Sequence, residues 1–250
     1  MKKMSTAATT LLIALCASGL GACSKSDDAP KAPDAAARPA VDLAGLASPD
    51  KQQQIADRAL PQGDAARPLA DYRGIDSGND VMFLYYGISK LPVDYDKAAQ
   101  YYSRDYQNTS DGFKKQDMLN TLKPRIDASV AAAQNSRYVI LTTPNATLDS
   151  YDFTKKGFQL TNVAQPGSFQ YFFDNANYKI AYTNGPDFNF VKVTDEAQAR
   201  SIEDLRSHYK PITARVYAYA QDVDPANNQV KLQMLHVQLL DGGGHVLAAM

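Results

Sequence analysis

PRIDASVAAAQNSRYVILTT, residues 124–143, is where the pattern of the chain changes. Up to Asn135 the apolar side chains recur at helical spacing, with Leu119, Leu122, Ile126, Val130 and Ala133 on one stripe. From Arg137 the period shortens: YVILTT is a brief apolar run rich in β-branched residues, closed by Pro144-Asn145, and it reads as a strand with its turn. Helical patterns gathered before this point and strand patterns after it predict an α+β fold rather than alternating βαβ units.

Working back from the switch, Ser110 is placed to cap the helix that carries the stripe, and Pro124 predicts a kink or break, because its ring leaves a carbonyl near Asn120 without a donor. Earlier still, Val81, Leu84, Tyr85 and Ile88 mark a helix from about Asn79 to Pro92. Tyr95, Ala98, Ala99, Tyr102 and Tyr106 mark another, capped by Asp94. The short turn between them predicts a helical hairpin with Tyr85, Tyr95, Tyr102 and Tyr106 turned to the core. A weakly amphipathic helix is expected from Asp50 to Leu60.

Working forward, YDFTKKGFQLTN reads as a loose or bulged strand, and FQYFF (169–173), YKIAYT (178–183) and FNFVKV (188–193) read as strands in a meander separated by Asn-rich turns. Thr194-Asp195-Glu196 caps a helix over about 195–209 with Ile202, Leu205 and Tyr209 on one face. Two long strands, about 213–223 and 229–240, follow around DPANN, and a short one covers 245–248. In the second long strand the apolar positions change phase after Met234, which predicts a β-bulge there or burial on both faces. The expected architecture is a helical part, residues 50–135, followed by an antiparallel β part, residues 136–250, resembling a sandwich or open barrel with one inserted helix.

At the N-terminus, Lys2 and Lys3 precede an apolar run from Ala7 to Leu15, too short to span a bilayer and laid out as a secretory signal. It ends in Leu20-Gly21-Ala22-Cys23, which resembles the signal of bacterial lipoproteins. The resemblance implies removal of residues 1–22, diacylation of Cys23 and, with Ser24 rather than Asp after it, sorting to the periplasmic face of the outer membrane. An ordinary secretory signal with Cys23 incidental is the alternative. Residues 23–49 are rich in Ala, Pro and Asp and read as a disordered tether. The stretches DYRGIDSGNDVMFLYYGISKLPVDYDKAAQYYSRDY and YDFTKKGFQL are similar to lipoproteins of Gram-negative proteobacteria, a resemblance that implies compartment but no activity.

Composition restricts the function classes. Hydrophobic residues make up 44% of the chain and charged ones 21%, the balance of a folded protein. The formal net charge of −1 lacks the clustered Lys and Arg of a nucleic-acid binder, and it becomes more acidic once Lys2 and Lys3 leave with the signal. Of the two cysteines, Cys16 lies in the signal and Cys23 is expected under lipid, so no disulfide is expected.

The chain carries no GxGxxG, GxxxxGK, HExxH, CxxC or GxSxG. Ser48…Lys51 and Ser207…Lys210 match SxxK without its companion motifs, and Tyr151…Lys155 matches a dehydrogenase Tyr/Lys pair without a dinucleotide loop. Asp222, Asp224, Asn227 and Asn228 echo a calcium loop but lack its glycine and glutamate, so a polar hairpin turn is the simpler reading. His208, His236 and His245 have no metal-ligand spacing, and His236 is expected inside, on the face of Met234. No catalytic residue, metal site or cofactor is therefore expected. The leading expectation is a lipid-anchored, non-catalytic binding or assembly module with an envelope protein as possible partner. The rivals are a structural subunit of an envelope complex and an envelope hydrolase using His245, Asp241 and His236.

Overall fold

The computed structural model describes residues 48–250. The expected signal, Cys23 and the tether up to residue 47 lie outside the described residues. Helix α1 (Pro49–Arg58) is capped by Ser48. A two-residue strand β1 (Arg73–Gly74) precedes α2 (Gly78–Ser89), α3 (Tyr95–Tyr102), α4 (Arg104–Asn108) and the long α5 (Gly112–Asn135). Then come β2 (Tyr138–Thr143), β3 (Gly157–Gln159), β4 (Lys179–Tyr182), β5 (Phe190–Lys192), α6 (Glu196–Ser207), β6 (Thr213–Asp224), β7 (Gln229–Leu240) and β8 (Val246–Ala249). The class is α+β, with the helical part first and the mostly antiparallel part second, α6 inserted within it.

The main sheet runs β1-β2-β6-β7-β4, with β8 also on β7, and β3 and β5 form a separate two-stranded ribbon. The β6–β7 hairpin is its centre. Its core face alternates small against large: Ala214, Val216, Ala218 and Ala220 on β6 lie beside Leu232, Met234, Val237 and Leu239 on β7, all buried. The small residues let α2 approach the sheet closely. That helix is buried from Val81 to Gly87 because it lies between the sheet and α5, whose Leu119, Leu122, Ile126 and Ala133 complete one shared core with the strands.

Several expectations change on contact with this packing. The meander gives way to a mixed order, since β4 pairs with β7 in parallel and β1 with β2 in parallel. Residues 169–173 do not form a full strand: Gln170 makes one bridge to Ile180, and the chain then turns through a 3₁₀ segment at Phe173–Asn175. The helix expected to carry both Tyr102 and Tyr106 breaks at Ser103, which ends α3 and caps α4, so Tyr106 is buried while Tyr102 is exposed. Instead of forming a hairpin, α2 and α3 both pack mainly on α5. Asp111, not Ser110, caps α5, accepting from the N–H groups of Phe113 and Lys114. That helix runs through Pro124 unbroken because its buried stripe holds both halves against α2.

The bulge near Met234 is present: Ala218 pairs with Met234 and Tyr217 with His236, leaving Leu235 as the extra residue. Its consequence corrects the reading of His236. Leu235 joins Tyr72 and Tyr217 on the outer face of the sheet, and His236, paired with Tyr217, stands on that face rather than among the core residues.

The outer face is covered by a strap formed by residues 60–72. Side chains of the sheet hold its backbone: Gln221 Nε2 donates to Pro61 O (2.9 Å), Gly63 N donates to Gln233 Oε1 (2.8 Å), and Asp64 N donates to the Tyr138 hydroxyl (2.8 Å). His236 Nε2 lies 2.8 Å from Ala65 O. A strap without ladder pairing needs such partners, because its polar backbone would otherwise be covered unsatisfied.

Candidate functional cleft at helix α6

Asp195 caps α6 by accepting from Gln198 N (2.7 Å), and Ala199 and Ile202 turn to the core. The other side of the helix presents Glu196, Arg200, Glu203 and Ser207. Facing it is the loop from Tyr151 to Gly157. Asp152 organises this loop: its carboxylate accepts from Thr154 N (2.8 Å) and Lys155 N (2.9 Å), and those bonds hold it below the usual carboxylate pKa. Gly157 is required where the loop returns, since a Cβ there would lie 2.2 Å from Val191 O. The tight turn pushes Phe153 outward, 85% exposed, with its ring 5.1 Å from that of Tyr151.

Between loop and helix is an open cleft of about 670 Å³, walled by Tyr151, Phe153, Lys156, Thr194, Arg200 and Glu203 among others. Among the described residues, all of its charged groups but Lys156 are already engaged. Glu203 accepts from Arg206 Nε (2.9 Å) and from Tyr151 N (3.3 Å), and the arginine holds its carboxyl below the ordinary range. Arg200 Nε donates to Glu196 Oε1 (3.1 Å), and the Tyr151 hydroxyl donates to Val193 O (2.9 Å). What remains for a ligand is an aromatic wall, the ammonium of Lys156 and the outward faces of paired charges.

The residues singled out in the sequence disperse. Asp241 and His245 do meet, Oδ2 to Nδ1 at 3.1 Å, and the other carboxylate oxygen accepts from Gly243 N and His245 N. These bonds, the His245 N–H first, hold the Asp241 carboxyl below its usual range. The pair thus closes the Gly242–Gly244 loop, with the imidazole in solvent. His236 is five residues up β7, roughly 16 Å away along an extended strand, so the trio is not assembled. His208 ends α6, its Nδ1 3.2 Å from an Asp204 carboxylate oxygen.

The motif matches resolve into local structure. Ser48 is a helix cap for Lys51 N, and the Ser207 hydroxyl donates back to Asp204 O. The Tyr151 hydroxyl is taken by Val193, while the Lys155 ammonium sits over the Phe190 ring. Asp224 builds the hairpin turn by accepting from Ala226 N and Asn227 Nδ2, as turn chemistry predicts. Among the described residues no group of three or more His, Cys, Asp or Glu side chains is arranged to hold a metal, and no helix is long and apolar enough to cross a membrane.

No sequence motif marks this cleft. Lys156 and Glu203 lie far apart in sequence, and no motif joins them. Comparison with protein-family models, with curated proteins and with solved structures gives no match.

Proposed function

We propose that this chain is a lipoprotein, held by acylated Cys23 at the periplasmic face of the outer membrane, that works there as a non-catalytic binding module for an envelope protein. The α6 cleft carries this reading. It is large, open and aromatic-walled, as a docking site for a side chain or loop of a partner requires, yet Glu196 and Glu203 are tied to arginines, Asp204 to His208, and the Tyr151 hydroxyl to a backbone carbonyl. Groups so engaged orient a partner better than they move protons.

A second reading, an envelope hydrolase, is favoured by one observation, the Asp241–His245 contact, which has the form of an orienting carboxylate and a base. Among the described residues, no hydroxyl contacts the free ring nitrogen of His245, so this pair lacks the nucleophile such chemistry needs.

The test is crosslinking in cells with a photoreactive residue at position 153, using Cys23→Ser as the control for anchoring. A stoichiometric envelope protein captured at 153, and lost without the anchor, is the expected result. Capture of nothing at 153, together with loss of the cellular phenotype in His245→Ala, would replace the binding module with the hydrolase.

A further inference from the structure

Phe169, Tyr171 and Phe173 form a row of exposed aromatic rings at the far edge of the main sheet. They are 49%, 45% and 94% exposed, with ring centroids 6.3 Å and 5.6 Å apart along the row. The alternation is imposed by Gln170 and Phe172, which turn inward: the Gln170 amide donates to Val163 O (3.1 Å), and Phe172 packs on the core. Gln170 also exchanges both backbone hydrogen bonds with Ile180, which fixes the segment beside β4. Lys179 Nζ lies 4.6 Å from the Phe169 ring centroid, so Phe169 shares the outer side of the sheet with Lys179. Among the described residues Lys179 has no carboxylate partner.

We infer that this aromatic row is a membrane-docking edge, which sets the folded part down on the same lipid surface that holds the Cys23 anchor; the inference rests on the lipoprotein reading above. Three observations favour a lipid surface over other occupants. The rings are splayed at 37° and 77° to one another, so they offer no flat platform for the faces of a sugar chain, whereas a lipid headgroup region accepts aromatic rings in any orientation. Lys179 beside them, without a carboxylate to neutralise it, matches anionic headgroups.

The third observation is where the chain arrives. Asp57 of α1 pairs with Lys231 at 3.1 Å; Lys231 is paired across the ladder with Ala181 of β4, and β4 borders the aromatic segment. The N-terminal helix therefore crosses the same face about 10 Å, two strand spacings, from the row. Read as the tether, the roughly 25 residues between Cys23 and Ser48 reach roughly 25–30 Å. An anchor so short and attached so near raises the local concentration of lipid at the edge, and individually weak aromatic contacts then suffice.

The chain contains no tryptophan, so Tyr171→Trp gives a single reporter in the protein as the cell processes it. It is mixed with vesicles of phosphatidylethanolamine and phosphatidylglycerol, with and without brominated acyl chains. Phe113→Trp is the control: the ring at 113 is 89% exposed but lies on α5, in the helical layer on the other side of the sheet. The expected result is a blue shift and severalfold quenching of the indole at position 171, little change for the one at position 113, and loss of the position-171 signal when Phe169→Ser and Phe173→Ser are added. No quenching at 171, equal quenching at both positions, or protection of the 171 indole by peptidoglycan sacculi but not by lipid overturns the inference. Mass spectrometry of the same preparation reports acylation separately. An unacylated chain that still shows the response at 171 in excess vesicles would overturn the lipoprotein reading and leave the docking edge standing.

Discussion

Gly63 lies against the root of the Tyr219 side chain so closely that a Cβ added at 63 would be 2.5 Å from Tyr219 Cβ and 3.0 Å from Leu235 Cδ1. This contact presses the strap onto the outer face of the sheet. The face is lined with tyrosines: Tyr72 makes edge-on contacts with Tyr138 and Tyr217, while Arg67 and Arg137 sit over the rings of Tyr138 and Tyr219. Gly63→Ala should therefore cost about 1–3 kcal/mol, the usual range for overpacking, and urea denaturation would measure it. A null result would mean that the strap lifts freely.

Pro124 sits exposed in the middle of α5, where it removes one helical hydrogen bond without filling the core. Pro124→Ala should stabilise the protein by about 1–3 kcal/mol, less than or equal to the full propensity difference, because the packing on either side has already absorbed part of the strain. Thermal unfolding would show it as a raised Tm.

The Glu203 carboxyl is held below its ordinary pKa, chiefly by Arg206. In the acid range the unfolded chain then binds a proton that the folded chain does not, so stability rises with pH across that window. Wild type should be more stable than Glu203→Gln at pH 7. The advantage should disappear as pH falls from about 4.3, the ordinary glutamate value, through the lower folded value. Urea midpoints measured for both proteins from about pH 7 to about pH 3 span that window, and parallel curves would exclude the ion pair as a source of acid sensitivity.

Tyr106 behaves with the opposite sign. Burial and its hydrogen bond to the Asp96 carboxylate push its hydroxyl up to about 12. Its contribution is complete below the ordinary tyrosine value, near about 10, and is lost as pH rises through the folded value. Tyr106→Phe should remove part of the alkaline unfolding while leaving the acid limb unchanged, as followed by circular dichroism.

Much of the fold was legible because local periods and global burial agree over the long elements. The β6–β7 hairpin announced itself through alternation and a polar turn, and even its bulge was visible as a change of phase after Met234. What a change of phase does not say is which face the next residue takes, so the alternation alone points His236 to the core face although it stands on the outer one. The parallel placement of β4 beside β7 has no local signature, since strand order is settled by packing between distant segments. The α6 cleft was illegible for a similar cause: its wall joins the loop 151–157 to a helix some forty residues later, and no motif spans that distance.

The strap and the cleft lie on different parts of the molecule, so their variants should separate. Lys231→Ala removes the ion-pair partner of Asp57, which keeps its hydrogen bond from Gln53 Nε2, and should loosen α1 from the sheet at a cost of about 1 kcal/mol. Capture of a partner at position 153 should be unaffected. Hydrogen exchange would show the change in α1 and the strap, and crosslinking would show whether the cleft still engages its partner. If loosening α1 also abolished capture at 153, the outer face and the α6 cleft would have to be parts of one interface, and the binding surface would need to be redrawn across the whole β half.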